Sequence, residues 1–296
     1  MPTPGLNAAR AALALAGLAA ACAGAAATPA EQAAAQSLHA THAELLPRLE
    51  ANAFGRPLHL DSRQDAATLK GDIHAVIAHP FAQVRDALGR PEGWCDVLIL
   101  PFNTKRCEVE NGSPPRLAVN VGRKTDQPLD RTVRMEFPFR RTAATAEYAS
   151  VVLVAPEGPF GTRNYRILLE AVPLDSAHTF LHLSYSYDAG LTARLATQAY
   201  LATAGRAKVG FSVVGRTPRG EPVHVGGVRG MVERNTMRHF LAVESFLDSL
   251  AVPAASRVEK RLNDWFAAVE RYPLQLHEMD REQYLRMKRR EVGRQG

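Results

Sequence analysis

Two hydrophobic periods alternate along this chain, and the switch between them divides it. From Pro29 to about Ala53, the positions Leu38, His42, Leu45, Leu46 and Leu49 recur at three- and four-residue spacing, which predicts a helix. Gly55 and Pro57 end it. The stretch Arg56 to Leu69 is polar and irregular and reads as a linker. From Leu69 the period shortens to two. Gly71 to Ile77 predicts a strand, and His79-Pro80 breaks it. Phe81, Val84, Ala87 and Leu88 then fall on one face of a short helix, and Trp94 to Leu98 reads as a second helix or turn.

A run of strands follows, separated by turn residues. Leu117, Val119 and Val121 alternate with Ala118, Asn120 and Gly122; Met135, Phe137 and Phe139 alternate with Arg134, Glu136, Pro138 and Arg140. Shorter strands are predicted at Arg106–Glu110 and Ser150–Val154. Tyr165, Ile167 and Leu169 alternate with Arg166, Leu168 and Glu170, and Leu181, Leu183, Tyr185 and Tyr187 with His182, Ser184, Ser186 and Asp188. Strict alternation gives each strand one buried and one wet face, the signature of an antiparallel sheet. A helix is predicted over 191–203, and strands over 209–213 and 223–228. The longest helical pattern runs from Met231 to Leu250, with Val232, His239, Val243, Leu247 and Leu250 as its seam; Pro253 stops it. Leu262, Trp265, Phe266 and Val269 mark a further helix in the tail, which Pro273 breaks.

The order is strand, short helices, about six antiparallel strands and a long closing helix. The fold class is therefore α+β, a curved antiparallel sheet wrapped on a long C-terminal helix, with helices added at both ends. The opening, Gly71-Asp72-Ile73-His74-Ala75-Val76-Ile77-Ala78-His79-Pro80-Phe81-Ala82-Gln83-Val84 followed by Trp94-Cys95-Asp96-Val97-Leu98, resembles the start of START-like (SRPBCC, helix-grip) domains. The resemblance covers about Leu69 to Leu250. It implies a cavity between sheet and helix that holds a lipid or other hydrophobic small molecule; some members are cyclases or dehydratases, and fold alone does not choose among these.

The N-terminus changes the picture of where the protein works. Arg10 precedes an Ala/Leu run from Ala11 to Ala21, and Ala25-Ala26-Ala27 offers a cleavage site. That order reads as a secretory signal peptide, too short to span a bilayer, which takes roughly 20 apolar residues. Cys22 gives a partial lipobox with Ala19 three positions before it. The expected division is 1–27 signal peptide, 28–68 helix and linker, 69–250 main domain and 251–296 helical extension. The expected location is the periplasm, with membrane anchoring if Cys22 carries lipid. Cys95 and Cys107 are then an even pair and a disulfide candidate in an oxidising compartment; two buried thiols are the other reading.

Composition is that of an ordinary globular chain, 46% hydrophobic and 22% charged. The net charge of +6 sits largely at the ends. The last sixteen residues hold six basic side chains (Arg281, Arg286, Lys288, Arg289, Arg290 and Arg294) against Glu282 and Glu291. The body is near neutral, which argues against nucleic acid as a partner. The tail suits contact with an anionic membrane surface, or is simply a solvated helix end.

Tyr165, Tyr185, Tyr187 and Phe211, with His239 and Val243 on the long helix, are the expected ligand-binding wall, since tyrosine offers ring area and one orienting hydroxyl. Plain core packing is the competing reading for each. His182 and Asp188 fall on the wet face. Arg229, Arg234 and Arg238 read as surface charges or as a greeting for an anionic head group at the cavity mouth. No nucleophile elbow, zinc-protease helix or Walker pattern is present, so no catalytic residue, metal or cofactor is assigned. Carriage of a hydrophobic molecule is the expected function. An enzyme acting through a cavity Tyr or His239, and a structural envelope protein with a filled interior, are the alternatives.

Overall fold

The strands that alternation predicts are continuous with one another in space. A computed structural model describes Met1 and residues 27–65, 67–190 and 208–294. The signal segment with Cys22 and the helix expected over 191–203 lie outside the described residues. Strands β1 (Leu58–Gln64), β2 (Thr68–Ile77), β3 (Thr104–Glu110), β4 (Arg116–Val121), β5 (Val133–Ala144), β6 (Ala149–Glu157), β7 (Thr162–Pro173) and β8 (Thr179–Ala189) form one eight-stranded sheet. Its order is β1-β2-β8-β7-β6-β5-β4-β3, antiparallel throughout. Consecutive strands β3 to β8 meander, and β2 returns beside β8. The short helices α2 (Phe81–Leu88) and α3 (Pro91–Leu98) fill the crossover from β2 to β3.

The segment read as a linker is β1. Its burial alternates at Leu58, Leu60 and Ser62, and it pairs with β2 from Leu58↔Ala75 to Gln64↔Leu69. Alternation was present but masked by His59, Asp61 and Arg63, which take the outer positions. The strand expected over 209–213 is displaced: β9 (Val213–Arg216) and β10 (Pro222–His224) form a small separate hairpin.

The long helix α4 (Gly227–Ser249) crosses the concave side of the sheet. Leu181, Leu183, Ile73, Leu169, Leu241 and Phe240 meet there, all nearly inaccessible to water. Gly71 marks the closest approach: a Cβ there would stand 2.3 Å from Thr236 Oγ1, so only glycine lets helix and strand meet. On the convex side, α1 (Pro29–Glu50) buries Ala35, Leu38, Leu45 and Leu49 in a second cluster with Val172 and Phe180. Its first turn is closed by a reciprocal cap between Thr28 and Glu31.

The C-terminal extension folds as α5 (Ala254–Val269), α6 (Pro273–Leu276) and α7 (Arg281–Val292). It is docked on the domain. Trp265, Leu262, Phe266 and Tyr284 join the main core, Trp265 Nε1 donates to the Arg238 carbonyl at 3.1 Å, and the Tyr284 hydroxyl donates to the Leu100 carbonyl at 3.0 Å. Glu291, fully buried, bridges Lys105 at 2.9 Å and Lys288 at 2.7 Å. At the surface of the tail, Arg289 pairs with Glu259 and Arg290 with Asp126, all four side chains about half exposed. Cys95 on α3 and Cys107 on β3 form a disulfide.

Candidate functional site

The inner face of β7 and β8 ends in three tyrosines. Alternation carries Tyr165, Tyr185 and Tyr187 to the concave side, where all three are buried. Tyr165 and Tyr187 stack with ring centres 5.0 Å apart, and Tyr185 meets both edge-on at 6.2 and 5.8 Å. His239 of α4 stacks on Tyr185 at 5.0 Å. The structure thus brings four of the six expected wall residues into one aromatic group. Val243, one turn along α4, is fully buried in the same core.

Phe211 goes elsewhere. It lies on a bend before β9, half-buried, with its ring against Phe54 at 5.6 Å and Tyr272 at 5.5 Å. Its backbone N–H and that of Ser212 donate to Glu233 Oε2 at 2.6 and 2.9 Å, and the Ser62 hydroxyl donates to Oε1 at 2.5 Å. Glu233 fastens that bend to α4, a place that strand periodicity does not describe.

Burial sets the protonation of the aromatic group. It pushes the Tyr165, Tyr185 and Tyr187 phenols above the ordinary range and His239 below it. At neutral pH all four are uncharged. The Tyr165 hydroxyl is 2.9 Å from Thr162 Oγ1, and His239 Nδ1 is 2.8 Å from the Asn235 carbonyl. The group offers ring area and hydroxyls in an apolar setting.

Beside it stands a cluster that sequence reasoning reached only in part. Arg234 and Arg238 are buried, not surface charges. Arg238 pairs with Glu278, just after α6, at 2.6 Å, and donates to the Leu276 carbonyl at 3.2 Å. Lys124, on the β4–β5 connection, meets the same Glu278 oxygen at 2.5 Å, and Lys208 stands 3.6 Å from its second oxygen. Burial, with Arg238 alongside, brings the Lys124 ammonium down to about 8. Burial works to raise the Glu278 carboxyl, but Arg238 and Lys124 outweigh it and hold it low. Arg238 and His239 are consecutive on α4, so the two groups are neighbours along that helix. Lys124, Lys208 and Glu278 carry no pattern in the sequence; 154 positions separate the Lys124–Glu278 pair.

The convex face holds a further polar network. His182 lies between Asp72 and Glu170, 2.9 Å from each, and Tyr148 donates to Glu170. His74 stacks flat on His182 at 4.3 Å. Burial opposes charge on His182, but its two carboxylate partners win and raise it; burial drives neighbouring His74 down to about 3. Alternation gave the correct face for His182, yet the ring is only 14% exposed because α1 roofs part of that face. A cleft of about 300 Å³ opens on this side too, at His42, Leu46, Arg56 and Val76. Among the described residues no group of His, Cys, Asp or Glu is arranged to hold a metal, and no helix is long and apolar enough to cross a membrane.

No protein-family description matches the chain, and no curated protein does. Solved structures resemble it distantly. Norcoclaurine synthase of Thalictrum flavum, a point mutant with a transition-state analogue, is 16% identical, with a TM-score of 0.34 over 49% of this chain and 91% of that one. A conserved protein of unknown function from Enterococcus faecalis is 11% identical, with a TM-score of 0.30 over 79% and 89%. A protein from Arthrobacter aurescens is 12% identical, with a TM-score of 0.34 over 66% and 92%. The helix-grip description rests on the strand order and the crossing of α4.

Proposed function

We propose that this chain is an exported binding protein that carries a hydrophobic small molecule on the concave face of its sheet, against Tyr165, Tyr185, Tyr187 and His239. The observation that carries the reading is the chemistry of that group. Four rings sit together at one end of the sheet–helix interface, uncharged at neutral pH, with hydroxyls among apolar surroundings. Such a surface favours ligand by removing apolar area from water, roughly 25 cal/mol per Å², and orients it by hydroxyl contacts. Acid–base catalysis needs a group that exchanges protons near working pH. Burial moves the three phenols further above that range and lowers His239, which supports carriage over turnover.

Export is supported by the Cys95–Cys107 disulfide, since such bonds persist in oxidising compartments. The N-terminal Arg10–Ala27 pattern is consistent with it.

Native mass spectrometry of the full protein purified from an oxidising compartment, followed by solvent extraction, tests the carrier reading. The expected result is a stoichiometric apolar adduct, and an uncharged fluorescent probe that rebinds after delipidation. Tyr185→Ala should weaken probe binding by about tenfold, and Tyr185→Phe by less, because most of the contact is ring area. A clean mass with no probe uptake by folded protein would sink the reading and leave a structural role with a filled interior.

A further inference from the structure

We propose that α1 is an acid-released arm: protonation of His42, His59 and His74 frees it from the convex face of the sheet, and it swings on residues 51–55 while the sheet and α4 stay folded. The inference is independent of what the concave face carries.

A row of titratable side chains crosses the convex face. In register, His59 of β1 faces His74 of β2, His74 faces His182 of β8, and His182 faces Glu170 of β7. From α1, His42 comes within 4.7 Å of the Phe180 ring, which in turn lies 6.0 Å from His74. The charges around this row come from every element packed there. Asp72 and Glu170 hold His182, Tyr148 donates to Glu170, and Lys70 and Arg63 stand 3.0 and 3.9 Å from Asp72. On α1, His39 bears on His42 and Arg48 on His59, where Asp61 acts in the opposite sense. Glu50 and Arg56 line the cleft beside His42.

Acid pushes this row in one direction. Among the described residues His42, His59 and His74 have no hydrogen-bond partner, and His74 Nδ1 is buried. A proton added there leaves an N–H without an acceptor, and at His74 it also sets a second charge flat on the charged His182 ring, 4.3 Å away. Burial lowers all three histidines accordingly. Freed, they return toward about 6.5, so release takes up protons and is favoured as pH falls below that value. His182 does not oppose this, because both of its carboxylates belong to the sheet and stay with it.

The fold lets α1 leave alone. Its buried side chains, Ala35, Leu38, Leu45 and Leu49, lie in a small cluster separate from the main core. Among the described residues no hydrogen bond or ion pair joins this helix to the sheet. Elements held by few apolar contacts open at a lower cost than the whole fold. The chain beyond the helix is anchored: Arg56 Nη1 donates to Glu244 of α4 at 2.8 Å, and β1 is paired with β2 along its length. Between helix and anchor, Gly55 takes φ +65° with open space around it, a natural pivot.

Hydrogen exchange of the full protein, read peptide by peptide near pH 7.5 and pH 5 and corrected for the intrinsic exchange rate, tests this. Protection across residues 29–50 should fall at least about tenfold at the lower pH, since one unit of displacement in a histidine is a factor of ten. Residues 149–157 and 231–249 should change by less than about threefold. In His42→Gln/His59→Gln/His74→Gln, α1 should keep its protection to within about threefold between the two pH values. Where circular dichroism shows that variant unfolded, His42→Gln alone should show a smaller acid loss than wild type. His178→Gln, on the exposed turn between β7 and β8, should leave the release unchanged. Equal protection of α1 at both pH values, loss of protection in α1 and the sheet together, or an acid loss that persists undiminished in the His42, His59 and His74 variants overturns the inference.

Discussion

Glu233 shows how much a single buried acid organises here. It is fully inaccessible and accepts from the Ser62 hydroxyl and from two backbone N–H groups, at Phe211 and Ser212. Arg229 Nε in turn donates to the Ser62 oxygen at 2.7 Å. An N–H left without an acceptor in a buried site costs about 1–3 kcal/mol. Glu233→Gln keeps the shape but weakens this charge-assisted set, so a loss of about 2–3 kcal/mol is expected in urea unfolding. A loss below about 0.5 kcal/mol would show that the bend is held by Phe54 and Tyr272 instead. The Cys95–Cys107 bridge acts at the same scale. It closes a loop with a sequence separation of 12, and Cys107→Ser should cost about 3 kcal/mol under oxidising conditions and nothing further under reduction. Equal stability of the variant and the oxidised protein would contradict this.

At the scale of elements, the docking of α1 on the sheet is tied to a titrating network. His182 is raised by Asp72 and Glu170, both of which are themselves held low by it despite burial. A histidine raised in the folded state stabilises fully below its unfolded value of about 6.5, and that contribution is lost as pH rises through the folded value. His182→Gln should therefore destabilise most below about pH 6.5 and progressively less as pH rises, in roughly the range of 1–3 kcal/mol expected for a buried hydrogen-bonded charge. His74 works in the opposite sense. Held neutral down to about 3, it costs stability as pH falls below about 6.5, so His74→Gln should flatten the acid limb of the curve. Thermal unfolding of both variants from pH 4 to 9 reads the two slopes. Parallel curves for wild type and His182→Gln would separate the network from stability.

At the scale of the whole molecule, the C-terminal extension is part of the main core. Trp265, Phe266 and Tyr284 lie in the same apolar cluster as the sheet and α4, and the Lys105–Glu291–Lys288 bridge ties α7 to β3 without solvent contact. Removing residues 254–296 would uncover those rings and leave Lys105 buried without its carboxylate. A buried ion left alone costs about 3–5 kcal/mol before any lost packing is counted. The truncated chain should lose its cooperative thermal transition or aggregate. A sharp transition within a few degrees of the full protein would make the extension an accessory.

The sequence by itself determined the strands and their faces, because side chains alternate with period two and burial requires apolar residues on one side. The Tyr165, Tyr185 and Tyr187 set was legible for that reason, and so was the long helix that covers them. The element order then left few ways to join the strands. Tertiary structure alone decided what covers each face and which distant charges meet. β1 was hidden because His59, Asp61 and Arg63 take the outer positions of a half-buried edge strand. His182 looked wet because nothing local announces that α1 lies over it. Lys124, Lys208, Arg238 and Glu278 belong to four separate segments with no shared spacing. Ion pairs carry no period, since two charges need only reach one point in space, and the chain can bring them there from any distance along its length.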